Sequence, residues 1–390
     1  MSITKKIKYH YNLYTNQAKN FKKKLGIIGF IKYLRYYRRY NINAFEFFEN
    51  ELYRCKRYNS KFLESNHFVI HTWKNVVNQY VPTAGFLWRL SHRIDFCLSQ
   101  IIYPGLDAMD YFRYEFYKFK HNKRKTFITE GYLARMNKLF NDEKRNFNEY
   151  SILKNKAKFN AFYSEFVRRD WIETFGASRE QFEFFCKDKQ NVIIKPIDGE
   201  QGKGIAKISV DSLEKRDEFF LDVCNKNYII EEVLKQHSVL DALNPTSINS
   251  IRVYSVFYKG EIYLTGAVLR IGANNAVTDN YSAGGYAATI DIETGVIISR
   301  AVSQNAGSVY VHPDTQQTII GVTVPKWSQV ISTVREAHLK NSKLRYIGWD
   351  VVVCSDGRVE LIEGNTFAGV ALQQHPMLEG KKKLYSKFLR

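Results

Sequence analysis

The chain has 390 residues, of which 45% are hydrophobic, and it carries a formal net charge of +19. This length predicts two or three domains with substantial cores. The sequence contains no uninterrupted apolar run of 18 residues, so it does not predict a transmembrane helix. The five scattered cysteines lack metal-ligand spacing and favour a reducing cytoplasm, while the charged first residues do not have the pattern of a secretory signal peptide.

The positive charge is concentrated in the first part of the chain. Residues 1–150 carry 28 Lys/Arg against 12 Asp/Glu, a difference of +16, whereas residues 151–390 carry 30 against 27, a difference of +3. The runs IIGFIKYLRYYRRY and FLWRLSHRIDFCLSQII have apolar residues three or four apart, which predicts helices. Their mixed aromatic and cationic residues fit a helix at a membrane surface or one with a buried stripe and a solvated face. We expect a basic, mainly helical N-terminal region over residues 1–104.

Strands dominate the chain from about residue 190. Short β-rich runs such as NVIIKP, NYIIEE, IRVYSVFY, EIYLTGAVLRI and YIGWDVVV are bounded by turns. Lys259-Gly260 separates two of these runs and predicts a hairpin. Helical patterns in SLEKRDEFFLDVC and WSQVISTVREAHLK interrupt the strands. The texture predicts an α+β fold with antiparallel hairpins, without the repeated βαβ units of a Rossmann fold.

The segment YIGWDVVVCSDGRVELIEGN predicts a metal-binding hairpin. A two-residue turn at Asp356-Gly357 would place Asp350 directly opposite Glu363, with Asn365 on the same face as Glu363. Two facing carboxylates are unfavourable unless a cation lies between them. Oxygen ligands of this kind suit Mg²⁺. The alternative is a hairpin end with solvated carboxylates.

The segment NVIIKPIDGEQGKGIAKISV predicts a strand, a glycine-rich loop and a second strand. Lys195 ends the first strand, and Lys203 lies among three glycines in the loop. Main-chain N–H groups and an ammonium in such a loop can bind phosphates. The loop lacks the Walker A pattern, and a plain turn remains the alternative.

With these two elements in this order, the chain resembles the ATP-grasp superfamily, and most closely the sugar-transfer-associated ATP-grasp proteins of surface-polysaccharide biosynthesis. The resemblance covers about residues 105–380 and also includes LKNKAKF, YIIEEVLKQH, NPTSINSIRVYS and LRIGANNAVTDNYSAGGYAATID. It implies an ATP-grasp unit over residues 105–390, with a lysine and glycine-loop subdomain at about 150–232 and a metal and acceptor subdomain at about 233–390. Two α+β subdomains with antiparallel sheets would clasp ATP.

The resemblance also implies roles for individual residues. Lys195, Arg252 and Arg270 would be catalytic. ATP would be bound by Lys156, Lys195, Gln201, Gly202, Lys203, Gly204, the main chain around Glu231, Glu232 and Val233, and by His237 and Asn249. The acceptor would lie near Arg270, Asn280, Gly284 and Gly285. Two Mg²⁺ ions would be held by Asp350, Glu363 and Asn365.

The implied function is an ATP-dependent carboxylate–amine ligase that forms an amide through an acyl phosphate. Its substrates would be a sugar carboxylate, such as a uronic acid of a capsule or O-antigen, and an amino compound. A phosphotransferase acting on a sugar hydroxyl or amide, and a nucleotide-binding scaffold at the membrane, are the alternatives. We expect a cytoplasmic protein, with the basic region available for peripheral contact with the inner face of the membrane or with polysaccharide-assembly proteins. Nucleic-acid binding is not expected, because no DNA- or RNA-binding motif is present.

Overall fold

The computed structural model describes residues 76–103, 106–199, 204–281, 284–304 and 307–389. The predicted helix in IIGFIKYLRYYRRY and the loop residues Gln201, Gly202 and Lys203 lie outside the described residues. The described residues form two compact units. The first contains the described residues up to His121 and Thr129–Arg135, and the second contains Asn122–Ile128 and the chain from Met136 onward. Among the helices of these residues, none is long and apolar enough to cross a membrane.

The helices have the following bounds: α1 Phe86–Ile102, α2 Ala108–Arg113, α3 His121–Arg124, α4 Glu130–Phe140, α5 Phe147–Lys154, α6 Lys156–Phe162, α7 Arg179–Cys186, α8 Leu213–Val223, α9 Ser238–Asp241, α10 Trp327–Lys340, α11 Ala371–Gln374 and α12 Lys382–Ser386. The predicted helices FLWRLSHRIDFCLSQII, SLEKRDEFFLDVC and WSQVISTVREAHLK are therefore confirmed as α1, α8 and α10, with small differences at the ends. In the first unit, Tyr111 packs edge-on against Phe96 of α1 and donates a hydrogen bond to Asp95.

The second unit contains two antiparallel sheets. The smaller sheet has the order β1-β4-β2-β3, with bounds β1 Trp171–Glu173, β2 Asn191–Pro196, β3 Ala206–Ser209 and β4 Tyr228–Glu232. The larger has the order β11-β10-β5-β6-β7-β8-β9, with bounds β5 Ile251–Tyr258, β6 Glu261–Ile271, β7 Tyr286–Ile290, β8 Ala301–Ser303, β9 Gly307–Val309, β10 Tyr346–Val353 and β11 Val359–Asn365. The predicted α+β fold with antiparallel hairpins is confirmed.

Helices cover one face of each sheet. Ser178 begins α7 with a capping box, and Phe182 of this helix packs with Phe219 of α8 on the apolar side chains of the smaller sheet. Val330 and Val334 of α10 belong to the core of the larger sheet. The opposite face of the larger sheet is partly covered by α12, whose Tyr385 packs edge-on against Tyr346 of β10.

The turn between β5 and β6 has the predicted geometry. Tyr258 pairs with Glu261, and the two residues between them, Lys259 and Gly260, both have positive φ angles of 52° and 87°. Two consecutive left-handed residues are typical of the type I′ turn of a β-hairpin.

The turn between β10 and β11 differs from the prediction. The main-chain N–H of Cys354 bonds to the carbonyl of Arg358, so the connection has three residues and the predicted two-residue turn at Asp356-Gly357 is wrong. A bulge between Asp350 and Val351 then shifts the register by one residue. The two differences cancel, and Asp350 faces Glu363 as expected.

His338 of α10 gives the fold a predicted pH dependence. Its imidazole lies between the Ser255 hydroxyl at 2.6 Å and the Leu344 carbonyl at 2.7 Å, and burial lowers its pKa to about 4. The unfolded chain, with an ordinary histidine pKa near 6.5, therefore binds more protons between pH 4 and 6.5. We expect this group to remove roughly 3 kcal/mol of stability as the pH falls through that range.

Urea unfolding at several pH values measures this effect. The free energy of unfolding should fall between pH 6.5 and 4 more steeply in the wild type than in His338→Gln, which cannot acquire the buried proton. Equal slopes in the two proteins would contradict the prediction.

Candidate active site

A cleft of about 830 Å³, including the part open to solvent, is lined by residues of both sheets of the second unit. Its apolar lining consists of aliphatic side chains: Ile193, Ile205, Leu234, Ile248, Val277 and Ile362. Its charged lining consists of Arg169, Lys195, Glu231, Glu232, Arg270, Asp279, Asp350 and Glu363. Apolar walls with a few convergent charged groups are typical of a ligand site.

Asp350 is bound by two arginines from neighbouring strands. It lies opposite Arg252 of β5 and accepts two hydrogen bonds from this guanidinium, one of them 2.8 Å long from Nη2 to Oδ2. Arg270 of β6 donates from Nη1 to the same Oδ2 at 2.9 Å. Burial raises the pKa of the Asp350 carboxyl, but the two guanidiniums outweigh burial and lower it to about 2. Asp350 is therefore ionised, and it holds both Arg270, which lines the cleft, and Arg252.

Glu363 lies across the strand pair from Asp350 and is more accessible. Its side chain is 39% exposed, against 3% for Asp350, and it accepts a hydrogen bond of 3.0 Å from Asn365. Burial and the neighbouring Asp350 raise the pKa of the Glu363 carboxyl. The repulsion between the two carboxylates is therefore only partly offset by Arg252, whose Nη2 is 3.9 Å from Glu363.

These three oxygen-bearing side chains fit a hard divalent cation that brings other ligands with it. The described residues contain no group of three or more His, Cys, Asp or Glu that could hold a metal ion on their own. Mg²⁺ typically takes one or two carboxylates and completes its shell with water and substrate phosphates. Asp350, Glu363 and Asn365 match this coordination preference of Mg²⁺, and their role as ligands stays a prediction.

Lys195 is held in the cleft by a buried carboxylate. Its Nζ lies 2.5 Å from Oε2 of Glu231, and Arg169 donates to Oε1 of the same carboxylate at 3.0 Å. Burial raises the pKa of the Glu231 carboxyl, but Arg169 and Lys195 outweigh burial and hold it well below its usual range. The side chain of Glu231 is thus a charged anchor for Lys195.

The main chain around the end of β4 is partly engaged in the sheet. Glu231 pairs with strands on both sides, and the N–H of Glu232 bonds to the carbonyl of Asp170. The contact of Glu231 and Glu232 with adenine stays a prediction. In the described part of the chain, Val233 and Leu234 make no main-chain hydrogen bond, and Leu234 lines the cleft. Val233 therefore remains a candidate for this contact.

Lys156 contacts the stem of the glycine-rich loop. Its Nζ donates to the carbonyls of Pro196 at 2.9 Å and Gly199 at 2.6 Å. Gly204 closes the loop with a φ of 74°, and a Cβ there would lie 2.8 Å from the Pro196 side chain. Burial and nearby Lys195 lower the pKa of the Lys156 ammonium. In this conformation the charge of Lys156 organises the loop, and its predicted contact with ATP is untested.

Comparison with known families agrees with this geometry. Residues 122–387 match the family described as sugar-transfer associated ATP-grasp. The chain belongs to this family. The family and the ATP-grasp fold that the sequence predicted are therefore confirmed.

Several ATP-grasp proteins of known structure are similar at low identity. The ATP-grasp ligase PsnB complexed with minimal precursor is 12% identical, with a TM-score of 0.39 over 62% of each chain. D-alanyl-alanine synthetase A from Vibrio cholerae O1 is 11% identical, with a TM-score of 0.39 over 62% of this chain and 66% of that one. The chain thus spans slightly less than two thirds of these proteins. No curated protein matches the sequence.

The segment predicted to lie near the acceptor forms a tight turn around Arg270. Nη2 of Arg270 donates to Asp279 and Asn280, each at 2.7 Å. Gly284 has a φ of 104°, and a Cβ on Gly285 would lie 2.6 Å from the Asp279 carbonyl, so the turn requires both glycines. The two glycines therefore shape the loop that holds Arg270, and their predicted place beside the acceptor stays a prediction. Asp279 stands inside the quoted motif, but it was not among the predicted site residues.

Two predicted ATP-binding residues have structural roles. Asn249 is fully buried, and its amide nitrogen donates to Gln236 and to the carbonyls of Leu240 and Asn244, so its side chain stabilises the core. Its contact with ATP stays a prediction. His237 caps α9 by accepting from the N–H of Val239, and it is not among the residues that line the cleft.

Proposed function

We propose that this protein is an ATP-dependent carboxylate–amine ligase. The observation that supports this most is the convergence of Lys195, Asp350, Arg270 and Glu363 on one cleft of an ATP-grasp fold, with Arg252 bonded to Asp350. A carboxylate oxygen would attack the γ-phosphorus of ATP and release ADP. The amine nitrogen would then attack the acyl carbon, release phosphate and lose a proton, leaving an amide.

The residues would divide the work as follows. Mg²⁺, held by Asp350, Glu363 and Asn365, would neutralise phosphate charge when bound with ATP. Lys195, with Lys156 and the loop residues Gln201, Gly202, Lys203 and Gly204, would bind the phosphates. The main chain at Val233 and the aliphatic walls would hold the adenine. Arg252 and Arg270 are both held by hydrogen bonds to Asp350, so they would stabilise developing charge without reorganisation.

For the acceptor we propose a sugar carboxylate, such as a uronic acid of a capsule or O-antigen. The support is the family's association with sugar transfer and the polar environment of Arg270 and Asn280 beside the cleft. Purified protein with ATP, Mg²⁺ and a panel of uronic acids and amines tests this. We expect release of ADP and phosphate that requires both an acid and an amine. ATP turnover indifferent to both would contradict the ligase, and a stable phosphorylated product without amine would identify a phosphotransferase.

We further propose that residues 1–104 form a basic region, separate from the catalytic unit at 105–390, which contacts the inner face of the membrane. Its support is the +16 charge of residues 1–150 and the exposure of Phe86, Leu87 and Leu90 on α1, at 77%, 78% and 45%. Vesicle sedimentation should show binding to anionic but not to neutral lipid at low salt. Equal binding to both, or none, would contradict this.

A further inference from the structure

A buried charged network joins the two sheets beside the cleft, and Arg169 is its centre. The side chain of Arg169 is 2% exposed, and the residue lies in the chain between helix α6 and strand β1. Its Nη2 donates to Glu231 of β4 at 3.0 Å, while its Nη1 donates to the main-chain carbonyl of Leu361 in β11 at 2.8 Å. Nη1 also lies 3.6 Å from Glu360 of β11, which is fully buried.

The contacts divide the two oxygens of Glu231 between two cations. Oε1 accepts from Arg169 and from Asn160, whereas Oε2 accepts from Lys195. A carboxylate fixed through one oxygen presents the other in one direction, so Arg169 determines where the Lys195 ammonium is held. A planar guanidinium can do this because its fork reaches Glu231 and β11 at the same time.

The other end of the network contacts β11, the strand that carries Glu363. Leu361 stands two residues before Glu363 in β11, and its N–H bonds to the carbonyl of Phe166, three residues before Arg169. One short segment therefore ties the strand of Glu363 to the carboxylate that orients Lys195. The separation between the phosphate-binding lysine and the metal ligands is set across this link.

We propose that Arg169 is a positioning residue that holds Lys195, through Glu231, in register with the metal-binding strand β11. This inference rests on the proposed function, because Lys195 is taken to bind nucleotide phosphates. Arg169 acts through Glu231 rather than on the reacting atoms. Its effect should therefore depend on the ionisation of Glu231.

Calorimetric binding of ADP with Mg²⁺ to the full chain, between pH 6 and 8.5, tests the proposal. Arg169→Met removes one of the two cations that keep Glu231 ionised, so the pKa of Glu231 should rise and Lys195 should lose its anchor at low pH. We expect the affinity to fall about tenfold or more at pH 6 and less at pH 8.5, relative to wild type at the same pH. Arg169→Lys, which keeps the charge but not the fork, should recover part of the loss.

Arg358→Met is the matched control. Arg358 donates to the other oxygen of Glu360 at 2.9 Å but does not contact Glu231, so its removal should leave the pH dependence of ADP binding unchanged. If Arg169→Met does not fold, the double variant Arg169→Met with Glu360→Gln removes the buried carboxylate left behind and is expected to show the same pH-dependent loss.

The outcomes separate the two claims. A uniform loss of affinity at every pH, or none, in Arg169→Met would overturn the positioning role while leaving the proposed function intact. A wild-type protein that does not bind ADP would overturn the proposed function and this inference with it.

Discussion

Replacement of Glu363 by glutamine should reduce ATP turnover by about a hundredfold or more without lowering the stability of the protein. Glu363 faces Asp350, and burial together with the charge of Asp350 raises the pKa of the Glu363 carboxyl. Glutamine removes that repulsion and keeps an oxygen to accept from Asn365, but it lacks the negative charge with which a carboxylate binds Mg²⁺. Release of ADP and the thermal unfolding midpoint, measured on the same preparation, check both halves of the prediction.

Asp350→Asn is the informative partner of this variant, because it should lose turnover and stability together. Asp350 is the shared counter-ion of Arg252 and Arg270, and all three are buried. Removing one member of a buried ion pair typically costs about 3–5 kcal/mol, since the other charge remains without compensation. Full turnover in either variant would contradict the metal site. A Glu363→Gln protein as unstable as Asp350→Asn would contradict the described roles of the two carboxylates.

The second large effect is expected at Lys195. Lys195→Met should reduce kcat/KM for ATP by roughly a hundredfold, because a cation that binds phosphate in a partly buried cleft is lost. Lys156→Met should cost less, on the order of tenfold, since the Lys156 ammonium is bound to the carbonyls of Pro196 and Gly199. Steady-state kinetics with varied ATP measure both.

One result of this comparison between Lys156 and Lys195 would contradict the prediction. If Lys156→Met proved more damaging than Lys195→Met, the Lys156 side chain would have to leave the loop stem and bind ATP directly. The anchoring of Lys195 by Glu231 would then not be the main determinant of nucleotide binding.

The hairpin of β10 and β11 shows how a correct prediction of pairing can rest on an incorrect step. The sequence placed Asp350 opposite Glu363 through a two-residue turn, whereas the chain uses a three-residue connection and a bulge that inserts Ile362. Strand alternation and the position of the turn could be read from residue types. The bulge could not, because it depends on packing of Leu361 in the core and on its hydrogen bonds to Phe166 and Arg169.

The ion pairs of the site could not be predicted from the sequence for a related reason. Arg252, Arg270 and Asp350 were each recognised from a motif, yet their mutual pairing follows from the order of β6, β5 and β10 in the sheet. Arg169 stands in no quoted motif and reaches Glu231 across 62 residues. Asn249 shows the opposite case. It was predicted to bind ATP from its place in a motif, whereas its side chain makes hydrogen bonds within the core.

The transfer of oxygen from substrate to phosphate tests the proposed ligase most directly. An acid from the uronic acid panel, labelled with ¹⁸O in its carboxylate, would be incubated with the protein, ATP, Mg²⁺ and an amine, and the released phosphate analysed by mass spectrometry. Attack of the carboxylate on ATP predicts one ¹⁸O atom in each phosphate and one amide for each ADP. Phosphate without label, or label retained in a stable phosphorylated product, would contradict the ligase mechanism.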